Sequence, residues 1–495
     1  MTAYSDPQTA EPAGPGEKTA LLHRGLGVGS IVFMVIAAVA PLGAACAVLP
    51  LVFALSGNAA APLYFLSAVV VLCIFAVGFT LMSRRVQNAG AFYSYVQAGL
   101  GKISGAGTAS LALVSYYLLL IGLYALLGVS AAAVVDQYLG LTVDWWVPAF
   151  AFLIVVALLG YRDIEVSAKV LGVALVLEAL VVLVIDIAIL AQGGVSGFSA
   201  QPLDPSHAFD GTPGLGLMFA FFAFIGFEAT AVFRSEATNP TRTIPRATYI
   251  AVALIGTMYA FTSYSIAIGI GADGAAAVSG ADPSNVVQNL ATQYVGTAME
   301  DAVRILLVTS VFACVLSFHN VVARYQFNLA NGKLLPGFLG EVHPKHRAPS
   351  HSSVVVTVMS VVVLVLMLLL GLDPITEVYT WFSGAATLGV IALMALTSIS
   401  VIAFHRRYHA DTPLWGSVLA PVLSLIGLGF VLYMIVRNFD LLVGTNAAAT
   451  AILVALAASF VIGAVVTAVT RARRPDRYAE LLENRRTTEG RPSQD

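Results

Sequence analysis

The residues best suited to chemistry lie between Gly214 and Ala247, where the chain reads GLGLMFAFFAFIGFEATAVFRSEATNPTRTIPRA. An apolar run is interrupted at Ile225-Gly226-Phe227-Glu228 by a helix-weakening glycine and a carboxylate. A carboxylate at the centre of a bilayer costs at least ~2.5 kcal/mol, so Glu228 is expected to face protein or a water-filled cavity. The backbone beside it is expected to leave regular helix. The N–H and C=O groups freed at that depth then need a cavity, a ligand or another helix. Such a break supplies the donors and acceptors of a polar solute site.

A second break is expected in GLGVGSIVFMVIAAVAPLGAACAVLP, where Pro41 is followed by Gly43. Proline removes a helical hydrogen bond and clashes with the preceding turn. Lys169, Glu178 and Asp186 fall on one apolar run, and His319 with Asn320 on another. Nine residues of helix place Glu178 about 180° around from Lys169 and about 13–14 Å along the axis, so the two do not form a simple pair. By its position alone, Lys169 reads as a lysine at the end of its span that snorkels to headgroups. Glu178 and Asp186 either carry protons or make structural contacts between helices. His319 titrates near neutrality when unperturbed. Tyr116, Tyr117, Tyr124, Trp381 and Phe382 suit either a gate or ordinary packing.

The elements that must position these residues are membrane spans. Of 495 residues, 58% are hydrophobic and 11% charged, and the mean hydropathy is +0.87. A water-soluble domain would carry nearer ~25% charge. Apolar runs occur at 27–55, 60–82, 106–135, 145–161, 169–192, 214–233, 247–271, 302–330, 352–371, 378–404, 414–436 and 446–470. An even number of crossings puts both termini on one side. All but Arg304 and Arg437 of the 25 lysines and arginines fall on the terminal side, whereas Asp136, Asp204, Asp273 and Asp373 mark the opposite loops. By the positive-inside rule, both termini are expected in the cytoplasm. Residues 1–26 and 471–495 read as solvated tails, without a cleavable signal peptide. The net charge of -2 says little about partners, and the basic residues fit topology determinants and an inner gate, not a nucleic-acid surface. Cys46, Cys73 and Cys314 read as small buried hydrophobes with neither disulfide nor metal spacing.

The interrupted first and sixth runs are five apart, as in an inverted repeat whose discontinuous helices meet at a binding site. Four ordered segments then carry a family resemblance: GAFYSYVQAGLG at 90–101, RDIEVSAKVLGV at 162–173, FFAFIGFEATAVFRSEATNPTRTIPRA at 221–247, and ARYQFNLANGKLLPGFLGEVHPKHRAPSHSS at 323–353. Over nearly its whole length the chain resembles the amino acid–polyamine–organocation permeases. The resemblance implies an all-α integral membrane protein with about 12 transmembrane helices: a LeuT-type 5+5 inverted repeat (27–192 and 214–404) plus two peripheral helices (414–470). It also implies import of an amino acid by alternating access across the cytoplasmic membrane. Its site residues would be Ala38, Ala40, Pro41, Leu42 and Gly43 in the first helix, with Phe224, Ile225, Gly226 and Glu228 in the sixth. Lys169 matches a lysine that, in many relatives, takes the place of a sodium ion, which favours coupling to H+. Glu178, Tyr117, His319 and Trp381 complete the proton-coupling and gating candidates.

Open alternatives are a polyamine or organic-amine permease, toward which Glu228 and Glu178 point, and an amino acid exchanger. Other classes fit poorly. No filter-like repeat suggests a channel, no nucleophile or acid–base constellation suggests an enzyme, and no Walker A motif suggests ATP-driven transport. The small-molecule substrate and the lipid bilayer are the expected partners, with no cofactor or metal.

Overall fold

A computed structural model of the chain describes residues 26–86, 91–162, 168–232, 237–343, 348–408 and 412–482. Apolar runs of this length form helices because hydrocarbon offers no partner for backbone N–H and C=O groups. The first run contains α1 (Val28–Val39), α2 (Pro41–Ala47) and α3 (Leu49–Ser56), and the second is α4 (Ala61–Arg85). A short α5 (Ala91–Leu100) leads into α6 (Lys102–Leu139), followed by α7 (Trp146–Tyr161) and α8 (Ala168–Ala191). The sixth run is split into α9 (Pro213–Phe222) and α10 (Ala229–Val232). Next come α11 (Pro240–Ile270), the short α12 (Ala275–Ala281) and α13 (Val286–Tyr294), and the long α14 (Thr297–Asn331). The chain continues through α15 (Ser350–Leu369), a widened turn at Pro374–Tyr379, α16 (Thr380–Tyr408), α17 (Ala420–Arg437), α18 (Phe439–Val443), α19 (Asn446–Arg473) and α20 (Pro475–Glu480).

Among the described residues, ten helical stretches are long and apolar enough to cross a bilayer. The shorter apolar helices Trp146–Tyr161 and Pro213–Phe222 account for the remaining two of the twelve runs. The isolated bridge between Leu26 and Ala237 is the one strand-like pairing among these residues.

Contacts between run ends fall into two sets, as an even number of crossings requires. At one face the Thr238 N–H donates to the Leu26 carbonyl at 3.1 Å, Ser350 Oγ donates to the Tyr161 carbonyl at 2.8 Å, and Gln97 Nε2 donates to the Leu482 carbonyl at 3.3 Å. At the other, the Thr212 N–H donates to the Ser56 carbonyl at 2.8 Å, and Gln192 Nε2 donates to the Tyr294 carbonyl at 2.8 Å.

The crossing of α6 with α16 sets the geometry of the interior. A Cβ on Gly389 would lie 2.0 Å from Ser115 Oγ, and one on Gly122 would lie 3.2 Å from Ser383 Oγ and 3.4 Å from the Tyr379 carbonyl. Two glycines therefore let the third and tenth runs approach closely enough for Tyr379 and the leucines of α6 to face one space. The substitution Gly389→Val is expected to destabilise the protein by ~1–3 kcal/mol through overpacking, seen as a lowered midpoint in a thermal melt of the purified chain.

Candidate functional site

The first run breaks over a single residue: Ala40 takes φ 51° and ψ 77°, the left-handed region. That conformation costs an L-residue with a Cβ roughly 1–2 kcal/mol. Pro41 then opens α2 at its first turn, where a missing N–H is harmless and the fixed φ suits a helix start. Proline disfavours the helical conformation of the residue before it, so the chain leaves α1 at Ala40 and not at Pro41 itself. A further discontinuity falls at Val48, between α2 and α3.

The sixth run breaks more widely. Residues 223–228 form successive turns between α9 and α10, with Gly226 at φ 115°, a conformation suited to glycine. Here Phe224 N–H donates to the Phe221 carbonyl and Phe227 N–H to the Phe224 carbonyl.

Each break is held by a buried carboxylate. Glu228 is 5% exposed. Its Oε2 accepts the Gly226 N–H at 2.9 Å, and its Oε1 accepts the Tyr116 hydroxyl of α6 at 2.6 Å. Glu178 on α8, also 5% exposed, accepts the Ser310 hydroxyl of α14 at 2.8 Å. The Leu42 N–H, in the first turn of α2, faces the same carboxylate. Thus two of the N–H groups freed by the breaks meet carboxylates brought from elsewhere in the chain or looped back from two residues on.

A cavity of about 50 Å³ lies where the breaks meet, several times the ~10–15 Å³ that one water requires. Val39, Ala40, Gly43, Ala44 and Val48 line it from the first run, with Phe222, Ala223 and Ile225 from the sixth. Leu119, Leu123 and Leu126 of α6, Val311, Cys314 and Phe318 of α14, and Tyr379 complete the wall. No lining residue carries a charge. The polar groups of the wall are mainly backbone: among the described residues no backbone carbonyl takes the Gly43 N–H, and no backbone N–H donates to the carbonyls of Ala223 or Ile225. A backbone donor and backbone acceptors at an otherwise apolar surface suit a small zwitterion with an apolar body.

Of the residues expected from sequence, Ala40, Gly43 and Ile225 line this cavity, while Leu42, Gly226, Glu178 and Glu228 form the hydrogen-bonded support behind it. Pro41 and Phe224 are buried outside the lining, and Phe224 packs edge-on against Tyr259 with ring centroids 6.4 Å apart. Tyr117 turns toward Ser360 of α15. His319 is fully buried with Nε2 2.9 Å from Ser353 Oγ, packed where a Cβ on Gly160 of α7 would meet it. Trp381 is partly buried and outside the lining. Asp186 accepts from Thr262 Oγ1 of α11 at 2.7 Å. The side chains of Ala38 and Lys169 lie outside the described residues. Sequence reasoning missed Tyr379, Phe222 and Ser310. It also missed two helical faces, Leu119/Leu123/Leu126 and Val311/Cys314/Phe318, whose spacings of three and four were visible but are shared by any packed helix. Among the described residues, no three histidines, cysteines or carboxylates stand close enough to hold a metal ion.

Fold and site together define a polytopic helical membrane protein with a cavity between two discontinuous helices. The chain belongs to the amino acid permease family, whose profile matches residues 26–467. It is similar to the branched-chain amino acid permease of Bacillus subtilis (strain 168), 29% identical over 54% of this chain and 53% of that protein. It is also similar to the low-affinity putrescine importer of Escherichia coli (strain K12), 22% identical over 60% of this chain and 65% of the importer. A third relative is the serine/threonine exchanger of Bacillus subtilis (strain 168), 24% identical over 44% and 48% of the two chains. The matched stretch spans about half the length of the first and third of these relatives and somewhat less than two thirds of the second.

Removing the Glu228 carboxylate strands the Gly226 N–H and the Tyr116 hydroxyl in a dry interior. Glu228→Ala is therefore expected to lose about 1–3 kcal/mol of stability, with a smaller loss for Glu228→Gln, which retains an acceptor oxygen. Thermal melts of the two variants beside the parent protein measure the difference.

Proposed function

We propose that the protein imports a zwitterionic amino acid with an aliphatic side chain by alternating access, coupled to the inward movement of protons. The observation that carries this reading is the uncharged cavity between the two breaks. Its open Gly43 N–H suits a carboxylate, and its open Ala223 and Ile225 carbonyls suit an ammonium group. The surrounding leucine, valine and phenylalanine side chains suit an apolar remainder. The resemblance to a branched-chain amino acid permease agrees with this chemistry.

A polyamine reading draws on the resemblance to a putrescine importer. It is less well supported, because a second ammonium group needs a carboxylate at the wall. Glu228 and Glu178 stand behind the lining, each already engaged by a hydroxyl and a backbone N–H. The distribution of lysine and arginine supports a cytoplasmic location for both termini and for the face carrying α20.

Glu178 is the proposed coupling group. As a carboxylate it makes charge-assisted hydrogen bonds, which are roughly twice as strong as neutral ones. Protonation weakens its grip on the first turn of α2 and lets the broken first helix change its angle. The Ser310 contact extends that change to α14.

The test is uptake of L-leucine into proteoliposomes under an imposed inward proton gradient. The parent protein is expected to accumulate L-leucine. Glu178→Gln is expected to keep downhill exchange while gradient-driven accumulation falls by roughly tenfold, the scale of a coupling energy near 1.4 kcal/mol. Full accumulation by this variant removes Glu178 from the coupling step.

A further inference from the structure

Beyond α20, Leu481 and Leu482 are 3% and 7% exposed. Leu482 enters a small apolar cluster with Tyr93 of α5, Ala106 and Ala109 of α6, and Leu329 of α14. Its N–H donates to the Gly332 carbonyl at 3.1 Å, and its carbonyl accepts from Gln97 Nε2 of α5 at 3.3 Å. Lys102 Nζ, at the start of α6, donates to the Tyr478 and Ala479 carbonyls at 3.3 and 2.5 Å, so a cation closes the carbonyl end of α20. Lys333, just past α14, pairs with Glu480. Residues 475–482 therefore bridge the entry of the third run and the end of the eighth.

This bridge is built to come apart. Its apolar cluster is small and separate from the main core, which makes it a unit of low local stability. The pair of Lys333 with Glu480 is 44% and 58% exposed and adds little. Lys333 and Leu482 take φ 60° and 55°, a region that disfavours residues with a Cβ, so the docked backbone is held against its own preference.

Packing connects the bridge to the central cavity. Tyr93 meets Tyr325 of α14 edge-on with ring centroids 5.5 Å apart, and Tyr325 lies 6.0 Å from the Tyr116 ring. The buried Tyr325 hydroxyl has no hydrogen-bond partner, so packing alone positions that ring. Tyr116 donates to Glu228, which holds the Gly226 N–H at the sixth-run break. Tyr116 also stacks on Phe318, a wall residue of the central cavity. From Leu482 to the break, each member touches the next.

We propose that residues 475–482 form an inhibitory strap. Docked, the strap holds Tyr93, Tyr325 and Tyr116 in place and keeps the central cavity shut toward the face carrying α20. Release of Leu482 frees the three rings and lets the cavity open at that face. The inference concerns access to the cavity and does not depend on which substrate is carried.

Cys314 lines the central cavity and is 8% exposed, whereas Cys46 is 1% exposed and outside that lining. Their alkylation by N-ethylmaleimide, followed by mass spectrometry on the full chain in lipid nanodiscs, tests the strap. Leu482→Asp is expected to speed modification of Cys314 roughly tenfold, within the range of a coupling between sites, and to leave Cys46 unchanged. A Cβ on Gly332 would lie 3.1 Å from Leu482 Cδ2, so Gly332→Cys with Leu482→Cys allows the strap to be locked by oxidation. The locked chain is expected to react at Cys314 more slowly than the parent. A locked chain that reacts at the parent rate overturns the strap. A rise at Cys314 and Cys46 alike in Leu482→Asp also overturns it, because the contact is then a brace for the whole fold.

Discussion

The structure depends on how the backbone groups freed in its two broken helices are satisfied. Hydrocarbon cannot bond them, so each break must be closed from within the protein. Glu228 reaches back to the Gly226 N–H and is fixed by Tyr116, while Glu178 faces the Leu42 N–H and is fixed by Ser310. The two arrangements use the same chemistry on the two interrupted runs, with hydroxyls supplied by the third and eighth runs, again five apart. A carboxylate is stronger than a neutral acceptor in this role, and its burial is offset by the hydrogen bonds it receives.

Because the carboxylates work behind the wall, the cavity itself is free of charge. Its polar groups are backbone atoms of Gly43, Ala223 and Ile225, which hold fixed directions as long as the breaks hold theirs. Under the proposed function, substrate recognition and helix geometry are therefore tied to one another: a group that alters either break, by protonation or by binding, would also alter the donors and acceptors offered to a substrate. This is the kind of bistable element that a transporter exposing its site to one side at a time requires.

Much of this was legible in the sequence. The twelve apolar runs, the alternation of basic loops and the glycine beside Glu228 follow from composition and from the chemistry of single residues. The first break was legible in kind and displaced by one residue, because a proline acts on the residue before it: Pro41 starts a helix and Ala40 makes the turn. The direction of side chains was not legible. Glu228 reads as a candidate for substrate contact until its partners are known, and His319 reads as a candidate gate until Ser353 and Gly160 enclose it. Tyr379 carries no local signal, since its importance arises from a close crossing, a property of the assembled fold.

The central claim is that backbone atoms of the two breaks hold the substrate's charged ends. A density map of the protein in lipid with L-leucine bound tests it most directly. The account predicts the carboxylate at the Gly43 N–H, the ammonium group at the Ala223 and Ile225 carbonyls, and the side chain among Leu119, Leu123 and Phe318. An ammonium group seated on Glu228 or Glu178, or an empty cavity between the breaks at saturating L-leucine, would contradict it.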